Sequence, residues 1–471
     1  MTIAMAASEM FPYIKSGGLA DAVGGLRKEL SRHEQTVAIL PLYDAIDRRR
    51  FGIRPCGIAF PLEMGGERFE IEIYQCADEA GSCYFVYHPL LCGGTSLYES
   101  SENDLRFGLF AHAVCVLFSE HIRIDVLHLH DWQTALAAPL AKVRYHLACR
   151  VVLTIHNLAF QGIFSKQSIE RLGLGWELFT MDRLEYYDRV NFLKGGIAYA
   201  DAVTTVSRSY ADEIQSAQYG EGLDPFLARH KEKLSGILNG IDTVEFDPSH
   251  DPALSRPFDI NHPQNKRMHK EALCAELGLE DHGRALLAYV GRLAEQKGIS
   301  ELVAFLETVH DAPLNVVILG SGEPRYESMC RSLERYSNIR VILKYDEELS
   351  RRIYAASDFF LMPSRFEPCG LAQMIAMRYG SIPIVRSTGG LKDTVADFSV
   401  AASEGIGENA GIGISMDRGD VASFMHAVIK ALALYADSER IREFIVYNMN
   451  KDFSWHRPAL TYLALYRAAH I

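Results

Sequence analysis

Long apolar runs are missing from this chain of 471 residues: none approaches the roughly 18 residues of a membrane span, so a helical membrane protein is excluded. Runs of lysine and arginine are missing as well. With 48 basic against 60 acidic residues the net charge is -12, which argues against a binder of duplex nucleic acid, since such a binder needs a basic face. The nine cysteines show no C-x-x-C pair and no framework spacing, so a disulfide scaffold is not expected and the thiols read as reduced. The opening Met1-Thr2-Ile3-Ala4-Met5 leads to Glu9 and Pro12 with neither a basic segment nor an apolar one of secretory length; the expectation is a soluble, cytoplasmic protein. No two aspartates stand at i and i+2, which removes the D-x-D that holds a divalent cation on a diphosphate. G-x-G-x-x-G and G-x-x-x-x-G-K-[ST] are also absent, and with them the common dinucleotide and P-loop fingerprints.

What is present is a succession of short apolar, β-branched runs, at 3–7, 36–40, 126–129, 151–155, 202–206, 286–290, 315–319, 339–343, 359–362 and 382–385, many followed by helix-length segments. Continuous apolar strands alternating with helices indicate parallel sheets covered on both faces. The length exceeds one ordinary domain. An α/β protein of two doubly wound, Rossmann-like domains is expected, at 1–248 and 249–437, with a helical, aromatic tail at 438–471. The proline-rich segment 247–264 is the linker candidate.

Two glycine loops echo each other across the halves: K-S-G-G-L-A-D-A-V at 15–23 and S-T-G-G-L-K-D-T-V at 387–395. Each joins a strand to a helix, and a Gly-Gly pair there lets a ligand approach the backbone and its free amides. Matched copies suggest two lobes presenting loops to one shared cleft. The densest cluster, P-S-R-F-E-P-C-G-L-A at 363–372, follows the run 359–362 and so lies at the carboxyl end of a strand, where open α/β sheets place ligands. It offers Glu367 toward that cleft. Arg292 and Lys297 share a second strand-to-helix connection and could clamp a diphosphate. In the first half His128 and His130 form an H-x-H, but no third metal ligand follows, and His128 reads as a core histidine. His156, at a strand end beside Asn157, is the better ligand-facing candidate.

These motifs resemble, in order and over nearly the whole chain, those of the ADP-glucose-dependent glycogen and starch synthase family: K-S-G-G-L-A-D at 15–21, H-D-W at 130–132, T-I-H-N-L-A-F-Q-G at 154–162, N-G-I-D at 239–242, R-L-A-E-Q-K-G at 292–298, P-S-R-F-E-P-C-G-L at 363–371, T-G-G-L-K-D-T-V at 388–395 and a terminal D-F-S-W. The resemblance implies a GT-B fold, two Rossmann-like domains facing a central cleft, with the last helix packing back on the N-terminal domain. It implies transfer of glucose from ADP-glucose to the non-reducing end of an α-1,4-glucan such as glycogen, with retention of configuration and with neither metal nor cofactor. Carried over by motif, Lys15, Gly17 and Gly18 border the donor phosphates, and Asp21, His156 and Asn239 line the sugar and acceptor side, with Asp131 and Asn157 beside them. Arg292 and Lys297 hold the diphosphate and Tyr345 stacks near the base. Glu367, Cys369, Gly370 and Leu371 hold glucose and phosphate, and Thr388, Gly389 and Gly390 shape the opposite wall. A retaining enzyme can use a carboxylate nucleophile, whereas the family analogy suggests front-face attack with Glu367 orienting; both stay open. So do a UDP-glucose donor, another acceptor, and a silent glucan-binding protein. Departures from the family pattern are Ala372 for a common Thr, Phe246 for the usual Trp, and a short segment at 92–103.

Overall fold

Val151-Val152-Leu153-Thr154-Ile155 is buried at every position because both faces of its strand are covered. That condition holds for most strands in the computed structural model, which describes residues 1–93, 97–399 and 410–468. The chain divides into two units, Met1–Gly240 with Trp455–Ile471, and Ile241–Ser454. No described helix is long and apolar enough to cross a membrane.

The first unit is built on a nine-stranded sheet. Its parallel part runs Leu234–Gly236, Ala202–Thr205, Arg150–Ile155, Val126–His130, Thr2–Ala6, Gln35–Pro41 and Gly81–Tyr87, and Glu67–Asp78 and Arg54–Met64 are added antiparallel at the edge. Side chains alternate between two cores. Ala4, Ala6, Leu127, Leu129, Val151 and Leu153 face one, while Ile3, Met5, Val126 and Val152 face the other. The second core is closed by the helix Gly18–Leu30 and by the last helix, His456–Arg467, through Trp455, Ala459, Tyr462, Leu463 and Tyr466. The approach is close: a Cβ on Gly25 would lie 2.2 Å from the Trp455 indole nitrogen.

The second unit has seven parallel strands in the order Ile339–Ile342, Leu314–Leu319, Ala285–Val290, Phe359–Met362, Ile382–Arg386, Gly411–Met416 and Val395–Asp397. In both units the strand order reverses beside the first strand. Thr2–Ala6 sits between Gln35–Pro41 and Val126–His130, and Ala285–Val290 sits between Leu314–Leu319 and Phe359–Met362. Crossovers leave such a strand in opposite directions, and the loops at its carboxyl end part to form a crevice. The Lys15 loop follows the first of these strands, and the Arg292 loop follows the second.

These limits differ from the boundaries drawn at 248 and 438. The segment 247–264 is no free linker: Asp251 is buried within the second unit, accepting a hydrogen bond from the Tyr379 hydroxyl. Helix Ser438–Asn450 also stays in that unit, because the Asn448 amide bonds the Ile412 backbone in both directions, at 2.7 and 2.8 Å. The chain rejoins the first unit only at Trp455. Phe246 lies under the Arg351 guanidinium, 4.8 Å from its ring centre, and part of the short 92–103 segment (94–96) lies outside the described residues.

Candidate active site

At the second unit's switch point the loops after Val290 and Met362 meet. Lys297 reaches from one to the Glu367 carboxylate on the other at 2.5 Å, and the Ser364 hydroxyl donates to the same oxygen at 2.9 Å. Glu367 is buried, so this pairing is what makes a carboxylate tolerable there. Backbone bonds lock the two loops: Arg365 N–H donates to the Gln296 carbonyl at 2.8 Å, and Gly298, at φ +67°, leaves no room for a Cβ, which would lie 2.3 Å from the Pro363 carbonyl oxygen. The two arginines here differ. Arg365 is tied to Glu301 and Glu295, at 2.8 and 2.6 Å. Arg292 is exposed and forms no ion pair among the described residues, while its carbonyl accepts from the Tyr289 hydroxyl at 2.9 Å.

The second glycine loop buttresses this centre. Gly390 N–H donates to the Glu367 carbonyl at 3.0 Å, and a Cβ on Gly390 would meet the Cys369 carbonyl oxygen at 2.2 Å. Thr388 stands at the N-terminal end of the short helix Gly389–Thr394. Gly370 takes φ +74°, and Leu371 precedes the helix Ala372–Arg378. Gln373 ties the turn together by donating to the Cys369 and Gly370 carbonyls at 3.1 and 2.8 Å. Tyr345 is 72% exposed.

In the first unit the Lys15 loop is arranged otherwise. Lys15 pairs with Asp21 at 2.9 Å, and the amides of Ser16 and Gly17 are taken by the buried Glu9 carboxylate, which also accepts from the Tyr98 hydroxyl at 3.0 Å. A protein anion thus occupies amides that the glycine pair was expected to leave free. Gly17 itself is exposed, with nothing within 4 Å of a Cβ position, and Gly18 starts the helix. Glu9 belongs to no recognisable motif, which is why sequence reasoning missed it.

Asp131 turns toward the backbone. At φ +59° its carboxylate accepts from His156 N–H at 2.6 Å and Asn157 N–H at 3.4 Å, joining two strand ends; burial pushes its pKa up to about 7. The Asn157 side chain accepts from Ala159 N–H at 3.1 Å, and Asn239 is buried near the end of the first unit. Beneath His156 lies a file of histidines. His156 Nε2 meets His130 Nδ1 at 3.0 Å, and the His130 and His128 rings stand 4.1 Å apart. Both His128 nitrogens are engaged, by Thr154 Oγ1 and Tyr466 OH, each at 2.7 Å, so His128 has no lone pair to offer a metal. His130 Nε2 is buried without a partner. An unpaired buried N–H is rarer than an unpaired acceptor, which assigns the His130 proton to Nδ1. His130 then donates to His156, and His156 carries its own proton on Nδ1.

The description "Starch synthase catalytic domain" matches residues 2–229, and "Glycosyl transferases group 1" matches 276–445. The glycogen synthase of Syntrophotalea carbinolica is 38% identical, with 100% of this chain and 99% of its own length aligned. That of Bacillus licheniformis is also 38% identical, over 99% and 98%. Among solved structures, the catalytic domain of starch synthase IV from Arabidopsis thaliana bound to ADP and acarbose matches with a TM-score of 0.91 at 36% identity, over 99% of this chain and 98% of that one. Sucrose-phosphate synthase from Thermosynechococcus elongatus, with a TM-score of 0.63 and 17% identity, shares the fold alone.

Proposed function

Because the chain belongs to the glycogen and starch synthase family of GT-B, glucan-elongating glycosyltransferases, we propose that it transfers glucose from ADP-glucose to the non-reducing end of an α-1,4-glucan, elongating glycogen. The observation that carries this reading is the Lys297–Glu367 pair at the switch point, beside an exposed Arg292 that has no carboxylate of its own. Breaking the bond between the sugar and its phosphate leaves negative charge on the diphosphate and positive charge on the anomeric carbon. Fixed cations meet the first without waiting for solvent to reorganise. Arg292 and Lys297 take the diphosphate, assisted by the Gly370 and Leu371 amides, and Lys15, Gly17 and Gly18 are the donor-phosphate residues of the first unit. Glu367, held by Lys297 and Ser364, acts as a fixed acceptor that orients the donor glucose; a carboxylate so engaged is a poor nucleophile, which favours front-face attack by the acceptor hydroxyl. Cys369, Thr388, Gly389 and Gly390 shape the wall around it.

Tyr345 stacks against the nucleotide base, and Asp21, Asp131, His156, Asn157 and Asn239 serve the sugar and acceptor side. His156 donates through Nδ1, since its Nε2 faces His130. The odd, scattered set of nine cysteines, with no C-x-x-C pair, supports a reducing, cytoplasmic setting.

Incubating the protein with glycogen and labelled ADP-glucose or UDP-glucose, with and without a chelator, tests the reading. Extension is expected to be faster from ADP-glucose and indifferent to chelation. Glu367→Ala is expected to lower kcat by about 10³-fold while the chain stays folded. Faster extension from UDP-glucose would overturn the donor assignment, and near-normal turnover in the variant would remove Glu367 from the site.

A further inference from the structure

The edge of the first sheet carries two cysteines that the transfer reaction does not use. Cys76 on Glu67–Asp78 and Cys83 on Gly81–Tyr87 are register partners across an antiparallel hairpin. Directly opposed residues have Cα atoms about 4.5–5.5 Å apart, inside the 4.4–6.8 Å span that a disulfide bridges. Both are free thiols, Cys76 half-buried and Cys83 buried. Both sulfurs bond the Tyr13 hydroxyl, at 3.5 Å from Cys76 and 3.1 Å from Cys83. The adjoining Cys83 thiol, with help from Tyr13 and the nearby Arg27, pulls the Cys76 thiol down to about 7, while Cys83 is pushed up. The more accessible sulfur is thus the one that ionises more readily, and the thiolate is the form that attacks peroxides.

The cluster is wired to the Lys15 loop from both ends. Tyr13 precedes Lys15 by two residues, and its hydroxyl also donates to Asp78 at 2.7 Å. Arg27, on the helix that leaves the loop, donates to the same Asp78 oxygen at 2.7 Å.

We propose that Cys76 and Cys83 are a reversible oxidation site, closed to a cross-strand disulfide by hydroperoxides, and that closure shifts the Lys15–Gly18 loop. The Cys76 thiolate attacks the peroxide's distal oxygen, breaking the O–O bond and forming a sulfenic acid, while hydroxide or alkoxide leaves and takes a proton from water. The Cys83 thiol then attacks that sulfur, the S–S bond forms, and the sulfenic hydroxyl leaves as water with the Cys83 proton. The peroxide takes up the two electrons the sulfurs lose. Tyr13 loses its two sulfur partners, and Arg27 loses the thiolate charge it faces. The effect on activity rests on the proposed role of the Lys15 loop; the thiol chemistry does not.

The test uses the full-length protein, reduced, desalted and exposed to a small excess of hydrogen peroxide. Cleavage after Glu79 separates the two cysteines, so a peptide pair that stays joined until dithiothreitol is added identifies the bond. The expected result is loss of two thiols, that cross-link, and a several-fold rise in donor KM, all reversed by dithiothreitol. Cys76→Ser is expected to keep the starting activity and to lose its response to peroxide. Thiol loss mapping to Cys56 or Cys369 instead, or an equally peroxide-sensitive Cys76→Ser, would overturn the site. A cross-link formed without change in donor KM would overturn the coupling to the loop, and absence of transfer in the reduced enzyme would count against the proposed function alone.

Discussion

Arg292 and Arg365 show why residue type alone does not identify a ligand-binding cation. Both follow strands in the second unit, yet Arg365 spends its guanidinium on Glu295 and Glu301 while Arg292 has no such partner. Arg292→Ala is therefore expected to lower turnover by about 10²-fold or more, and Arg365→Ala to change it little, since exposed ion pairs contribute roughly 0–1 kcal/mol; steady-state kinetics of both variants decide this. Motif reading had placed Arg292, Lys297 and Glu367 in one connection or another, but their convergence depends on strand order, which no local pattern encodes. Glu9 and Ser364 were illegible for a different reason: a single carboxylate or hydroxyl becomes a partner only when folding brings it to an amide or an anion. The buried histidines give a pH prediction. Burial holds His112, His128 and His156 down at about 3, and His130 also well below the ordinary 6.5. Below pH 6.5 the unfolded chain binds protons that the fold refuses, so stability is lost as pH falls, by about 1.4 kcal/mol per pH unit for each group. Asp131, raised to about 7, works in the opposite direction between 3.8 and 7, but it is one group against four. Thermal unfolding at about pH 5.5 is expected roughly 5 °C or more below that at pH 8; an unchanged midpoint would mean that the histidines accept protons within the fold.

At the scale of elements, the two glycine loops are alike in sequence and opposite in use. The loop at 387–395 is packed against the Glu367 turn, with no space for a side chain at Gly390, whereas Gly17 has open space around it. Gly390→Ala is expected to cost activity at least ten-fold by displacing the Glu367 turn. Gly17→Ala is expected to fold as the parent does and to show its effect in donor KM. Equal behaviour in kcat, KM and melting temperature would contradict this division. Parallel strands such as Arg150–Ile155 were legible because burial on both faces leaves an unbroken apolar run. The hairpin strands Arg54–Met64 and Glu67–Asp78 alternate exposed and buried positions. Their charged face breaks up the apolar signal, and the Cys76–Cys83 pairing across that hairpin has no linear motif to announce it.

For the whole molecule, the last helix is part of the first unit's core rather than an appendage. Trp455 lies against Gly25, and Tyr462 and Tyr466 close the face formed by Ile3, Met5 and Val126. Trp455→Ala is expected to cost about 3–5 kcal/mol, read as a lowered denaturation midpoint, and a chain ending at residue 454 should not yield a soluble first unit. A mutant that melts like the parent would show that the helix is dispensable. Because residues 455–468 are made only after the second unit, a newly made first unit must wait, one hydrophobic face unclosed, while that entire unit is synthesised. At about 5–20 residues per second that interval is roughly 10–40 s. During it the nascent chain depends on chaperones or on the solubility of its own open face, so the order of synthesis makes residues 455–468 the ones that end the period of greatest aggregation risk.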